Sequence, residues 1–174
     1  MMEFIQHSDN YLPLKYQSIF HLIESGKSLS QININRETQK VRKFLNTQSK
    51  QARKLDKMAI GSTIEVVTMN NSEDEEVGFY IFSTIRDFTI LRGLAIYENF
   101  RGKGFSNYLI DHYKTKSEHQ LIEVLPSYVN WAKKFYKPHG YNKAVQGLFG
   151  TNYMLVTDIS VIKRFEDLLK SMSN

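Results

Sequence analysis

Residues 88–113 set the strongest constraint on what this chain can fold into. An apolar, β-branched run (88–97) passes into a short loop with two glycines, Arg101-Gly102-Lys103-Gly104-Phe105-Ser106, and then into a segment whose Phe105, Tyr108, Leu109, His112 and Tyr113 share one face at helical spacing. A strand, a glycine-bearing turn and an amphipathic helix in that order put unpaired helix N-terminal amides, and the positive end of a helix dipole, beside a strand end. Such a junction suits an anion, and glycine lets the backbone approach it. Gly93, isolated inside the strand, predicts a bulge or a close backbone approach.

The flanking pattern is of the same kind. Residues 2–7 read as a first strand, and Leu12, Tyr16, Ile19, Phe20 and Ile23 as one face of a helix that Gly26 stops. A second helix, over 36–57, carries Val41, Phe44, Leu45, Ala52 and Leu55 at helical spacing. After Gly61 the period changes: 63–69 and 77–82 read as a hairpin around the acidic tip Glu73-Asp74-Glu75-Glu76. Beyond the glycine loop, 120–125 is a strand ended by Pro126, 128–137 a helix ended by Pro138 and Gly140, and 141–145 and 153–157 two last strands. Val161, Ile162, Phe165, Leu168 and Leu169 then stripe a C-terminal helix, which either covers the sheet or pairs with a second subunit in a homodimer. Neighbouring strands flanked by helices predict a mixed α/β (α+β) sheet domain, single over 1–174, with 158–174 as a helical extension.

Composition removes several chemistries. With 174 residues the chain can bury a core of its own, and with no cysteine it has no disulfide, thiolate metal site or cysteine nucleophile. The histidines, His7, His21, His112, His119 and His139, show no metal-ligand spacing, so no metal is expected. His112 reads as a core or boundary residue. Ser106 and Ser127 lack a nucleophile-elbow context. No segment approaches the roughly 18 apolar residues of a membrane span, and the N-terminus lacks a secretory pattern, so a soluble, cytoplasmic protein is expected. The net charge of +5 is concentrated in 36–57, where Arg36, Lys40, Arg42, Lys43, Lys50, Arg53, Lys54 and Lys57 face only Glu37 and Asp56. A solvated helix face explains this most simply, and a patch for nucleic acid is the sharper alternative.

Three readings of the glycine loop compete. A Walker loop fails, because Gly104 follows Lys103 and no glycine precedes at the required distance. A dinucleotide fingerprint has Glu123 at a suitable distance downstream. It has Asn107 where the third glycine belongs, however, and four residues between Tyr97 and Gly102. In the third reading, the run from Leu94 through Ala95, Ile96, Tyr97, Glu98, Asn99, Phe100, Arg101, Gly102, Lys103 and Gly104 to Phe105 and Ser106 resembles the acetyl-CoA motif of the GNAT superfamily of N-acetyltransferases, [RQ]-x-x-G-x-[GA]. A second block, from Ala132, Lys133, Lys134, Phe135 and Tyr136 to Lys137, Pro138, His139, Gly140 and Tyr141, is similar to the family's A-x-x-[LF]-Y-x-x-x-G-[FY] segment.

The resemblance implies a mostly antiparallel central sheet with a splayed strand pair, flanked by helices. It implies acetyl-CoA as co-substrate and a primary amine as acceptor: a small-molecule amine, a protein lysine or N-terminus, or an aminoacyl-tRNA. Backbone groups of Leu94, Ala95 and Ile96 would pair with the pantetheine arm, and Gly93 would permit the splay. The amides of Gly102, Lys103, Gly104, Phe105 and Ser106 would hold the pyrophosphate, with Arg101 and Lys103 at its rim. Tyr136 matches the tyrosine that gives a proton to the departing thiolate. Ser106 stands where the motif ends in Gly or Ala. An asparagine frequent in the family has no match, since its place falls on Val129 with Asn130 one position late. The base is unassigned: the strand 89–96 has no carboxylate, Glu123 is nearest by layout, and Asp87 and Glu98 lie behind it. A non-catalytic acyl-CoA-binding module with the same fold is the rival class.

Overall fold

A computed structural model describes residues 1–7, 63–147 and 150–172. The predicted helix ending at Gly26 and the basic segment 36–57 lie outside the described residues. The described elements are β1 (Glu3–His7), β2 (Thr63–Asn70), β3 (Glu76–Ile85), β4 (Phe88–Ile96), α1 (Phe105–Lys114), β5 (His119–Val124), α2 (Val129–Tyr136), β6 (Lys143–Gly147), β7 (Gly150–Val156) and α3 (Ile159–Met172). Short 3-10 turns cover Glu98–Phe100, Pro126–Tyr128 and Lys137–His139.

The strands form one seven-stranded sheet in the order β1-β2-β3-β4-β5-β7-β6. Every adjacent pair is antiparallel except β4 with β5, which run parallel across the α1 crossover. The mixed, mostly antiparallel sheet expected from the sequence is therefore present. β3 is buried along almost its whole length, which is why its residues read as a continuous apolar run rather than an alternation. It also runs three residues beyond the predicted 82, because Ser83 is fully buried with its hydroxyl bonded to Arg92. At the acidic tip, the Asn71 side-chain oxygen accepts from the amides of Glu73 and Glu75 at 3.0 and 2.9 Å, so a local side-chain bond shapes the hairpin end.

The sheet separates two cores. On one face α1 and α2 bury Leu109, Ile110, Tyr113, Val129, Ala132 and Tyr136 against residues of β2 to β5 and β7. Phe4 of β1 stacks on His112 of α1, with ring centroids 4.0 Å apart. On the other face α3 lays Val161, Ile162 and Phe165 on Ile85, Phe88, Ile90, Leu121, Met154 and Val156. The apolar stripe of the last helix thus covers its own sheet. Each such fully buried aliphatic or aromatic side chain is worth about 1.5–3 kcal/mol. No helix among the described residues is long and apolar enough to cross a membrane.

Candidate active site

Among the described strands, the sheet forks at the one parallel junction, between β4 and β5. β4 and β5 pair over four rungs, from Phe88 opposite His119 to Leu91 opposite Ile122, and no further. Past this point each strand keeps its other neighbour. β5 continues on β7, with Glu123 opposite Met154 and Val124 opposite Tyr153, while β4 continues on β3 from Gly93 to Ile96. The β3 register steps from Leu91 opposite Phe82 to Gly93 opposite Ile81, so Arg92 is the extra residue of a bulge. The sequence pointed to Gly93 for this irregularity; the inserted residue is its neighbour.

Alternation in the β3–β4 ladder decides which groups face the fork. The Tyr97 amide donates to the Val77 carbonyl at 3.0 Å, which makes Tyr97, Ala95 and Gly93 the positions bonded to β3. The backbone groups of Leu94 and Ile96 then point the other way, toward β5. Of the three strand residues singled out from the motif, two open onto the fork and Ala95 is turned to β3. Arg101 folds back, its Nε donating to the Ile96 carbonyl at 2.9 Å, so it closes the end of the fork.

The glycine loop follows. Gly102 and Gly104 have φ of 75° and 80°, the left-handed region that glycine enters without steric cost, and Gly104 is the N-cap of α1. A Cβ at Gly102 would meet nothing within 4 Å, so the turn faces open space. Phe105 packs edge-on against Phe100, centroids 6.1 Å apart, and fixes the loop from beneath. The amides of Gly102, Lys103, Gly104, Phe105 and Ser106 donate to nothing among the described residues. They form the cradle of unpaired donors expected of a helix start. Lys103 lies exposed, its Nζ 5.6 Å from the Phe100 ring centre.

Tyr136 lies in the same buried cluster as Leu91 and Ile122, the last paired residues before the fork, with Leu94 packed against that cluster. Its residue is 6% exposed, with Phe135 and Tyr141 edge-on against the ring. No hydrogen bond to its hydroxyl is made by the described residues, and burial raises its pKa well above the ordinary tyrosine value. The group therefore stays protonated at any working pH. His112 is the half-buried boundary residue expected: the Tyr80 hydroxyl lies 2.8 Å from its Nδ1, and burial lowers its pKa. Burial raises the Tyr80 pKa too, so a neutral phenol meets a neutral imidazole here.

The carboxylates considered as bases are placed apart. Asp87 is exposed in the β3–β4 turn, at the paired end of β4, beside His119 at 3.7 Å. Glu98 is exposed in the 3-10 turn. Glu123 sits at the fork, but both oxygens are engaged: Arg92 Nη1 donates to one at 2.5 Å and Asn152 Nδ2 to the other at 2.7 Å. Arg92 and Asn152 escaped the sequence reading. The available signal was an arginine inside an apolar strand, since a buried guanidinium has to find a partner. Among the described residues no three His, Asp or Glu side chains converge as metal ligands.

Residues 63–143 match the family model of the acetyltransferase (GNAT) domain, a domain of acyltransferases. The resemblance to the GNAT superfamily read from the sequence is thus met by a family-model match over 63–143. A solved structure from Klebsiella pneumoniae, assigned as an acyl-CoA N-acyltransferase, shares the fold with a TM-score of 0.51 at 12% identity, covering 89% of this chain and 95% of that one. The ribosomal-protein-S18-alanine N-acetyltransferase of Escherichia coli is similar with a TM-score of 0.48 at 16% identity, over 89% of this chain and 90% of that one. An acetyltransferase of the GNAT family from Staphylococcus aureus has a TM-score of 0.48 at 11% identity, over 91% and 100%. No curated protein matches the sequence.

Proposed function

We propose that the protein transfers an acetyl group from acetyl-CoA to a primary amine by direct attack. The observation that carries this reading is the fork, where both backbone groups of Leu94 and the amide of Ile96 are unpaired among the described residues, beside a loop of five unpaired amides. The residues fit the co-substrate: an extended amide-bearing arm needs a strand edge, and a pyrophosphate needs converging donors. Bound acetyl-CoA supplies an activated acyl carbon and a thiol leaving group.

In this reading Gly102 to Ser106 hold the phosphates, and Leu94 and Ile96 align the arm. A neutral amine forms the new C–N bond as the C–S bond breaks. Tyr136, kept protonated by burial, gives its proton to the departing sulfur, and the proton shed by the amine leaves through water. Glu123, held by Arg92 and Asn152, is not free to take it directly.

Calorimetry with acetyl-CoA, followed by thiol-release assays across small amines, peptides and aminoacyl-tRNA, tests the proposal. Binding below about 1 mM and turnover on one acceptor class are expected. An absence of binding refutes the acyl-CoA reading, whereas binding with no turnover on any amine favours a non-catalytic module. Turnover on aminoacyl-tRNA lost on neutralising the basic residues of 36–57 would assign that segment to nucleic acid.

A further inference from the structure

We propose that Arg92 and Glu123 are positioning residues that fix the width of the fork at its root, a role that rests on the acyl-CoA reading above. The last backbone rung between β4 and β5 is Leu91 opposite Ile122. Continuing that register, the next opposed pair is Arg92 and Glu123, and there side chains join the strands in place of backbone: Nη1 of Arg92 donates to Oε2 of Glu123 at 2.5 Å. Both groups are shielded from solvent, with side chains 2% and 10% exposed.

The pair is tied outward on both sides. Arg92 Nε donates to the hydroxyl of Ser83 on β3 at 3.2 Å, and Asn152 of β7 donates to the remaining Glu123 oxygen at 2.7 Å. The polar chain therefore crosses four adjacent strands at the level where the ladder stops. Opposite Glu123 stands Met154, which belongs to the core under α3. The pair accordingly braces the face of the sheet away from Tyr136, whose cluster lies under α1 and α2.

A buried ion pair is a poor source of net stability, because desolvation offsets its attraction and apolar side chains often replace it without loss. Its physical use is to specify one arrangement. Here two others compete. The strands can close by one more rung, covering the groups that face the fork, or part further and misplace them. The bulge makes Arg92 the extra residue of β4, and its long side chain spans the gap that the backbone no longer closes.

Calorimetry with acetyl-CoA on the full chain reads the effect without an acceptor. R92M and E123Q should each weaken binding roughly tenfold or more, since small displacements of aligning groups are costly. The double variant should be no worse than either single one, and R92K should recover part of the loss. Melting curves identify the folded variants, and if R92M does not fold, R92K and E123Q carry the same comparison. Unchanged affinity in folded variants overturns the proposal, as does a double variant whose loss is the sum of the two. E123Q that binds normally but turns over slowly with an altered pH profile also overturns it, by making Glu123 the base. Wild-type protein that fails to bind acetyl-CoA removes the acyltransferase reading, and the brace with it.

Discussion

Replacing Tyr136 by Phe separates chemistry from packing in this protein. The ring is 6% exposed and held edge-on by Phe135 and Tyr141 at centroid distances of 4.9 and 6.3 Å, contacts that a phenylalanine ring keeps. The lost hydroxyl has no hydrogen-bond partner among the described residues, so no buried group is orphaned by its removal. The stability change should stay within about 0.5 kcal/mol, which for a chain of this size is a melting shift within about 2 °C. The loss in turnover is of another order. A positioned proton donor contributes about 10²–10⁴ in rate, or about 3–5 kcal/mol of barrier. On an acceptor found by the amine screen, Tyr136→Phe should lower kcat by that factor and leave the acetyl-CoA affinity unchanged. Because burial raises the hydroxyl above its ordinary value of 10.0, the wild-type rate should show no alkaline fall from Tyr136 as pH approaches that value. A variant with full kcat refutes the acid assignment. A variant that loses both kcat and several degrees of melting temperature shows that the ring, not the proton, was at stake.

Gly78 and Gly102 should respond to alanine in different ways. A Cβ at Gly78 would lie 2.5 Å from the Ala95 carbonyl and 2.8 Å from Ile96 Cδ1, so Gly78→Ala should cost about 1–3 kcal/mol by forcing β4 to move, and a melting temperature at or above wild type refutes this. Gly102 has open space but φ of 75°, so Gly102→Ala should cost only the left-handed strain of about 1–2 kcal/mol, with a melting fall of about 2–8 °C; a larger fall means that packing was misjudged. Burial lowers the His112 pKa below 6.5, so the folded state binds this proton less readily than the unfolded chain. The stability carried by neutral His112 is complete above 6.5 and is lost as pH falls through the folded value. Melting temperature should therefore fall on acidification below that point, less steeply in His112→Gln, and equal slopes for the two proteins refute the assignment.

The contiguous parts of the site were legible and the paired parts were not. The loop needs only its own residues: Gly102 and Gly104 supply the left-handed turn and Phe105 starts the helix, so both the motif and the unpaired amides could be read directly. Strand edges were less readable. The strand read over 77–82 continues to Ile85, because Arg92 satisfies the buried Ser83 hydroxyl. The helix expected over 128–137 is shorter, with 3-10 turns at both ends that Pro126 and Pro138 favour. The brace at the fork joins residues 31 and 29 apart in sequence, and no spacing rule links Arg92 to Glu123 or Glu123 to Asn152. That constellation exists only once β5 lies between β4 and β7.

The open rungs themselves carry a test that needs no acceptor. A sheet normally pairs its interior backbone groups, because each one buried without a partner costs about 1–3 kcal/mol. β4 leaves both backbone groups of Leu94 and the amide of Ile96 unmatched among the described residues, in the middle of seven strands, where water or an extended ligand can meet them. Both walls of that cleft are held from outside, β4 by β3 and β5 by β7, so the edge is preformed. Amide hydrogen exchange should therefore alternate along β4 in the free protein: Ala95, bonded to Phe79, slow, and Leu94 and Ile96 fast. Adding acetyl-CoA should slow one or both of the fast amides and leave Ala95 as it was. If Leu94 and Ile96 are protected without the ligand, the strands are zipped in solution and the fork is not a binding edge. If binding protects Ala95 alone, the ladder is out of phase by one residue and the alternation argued from Tyr97 and Val77 fails.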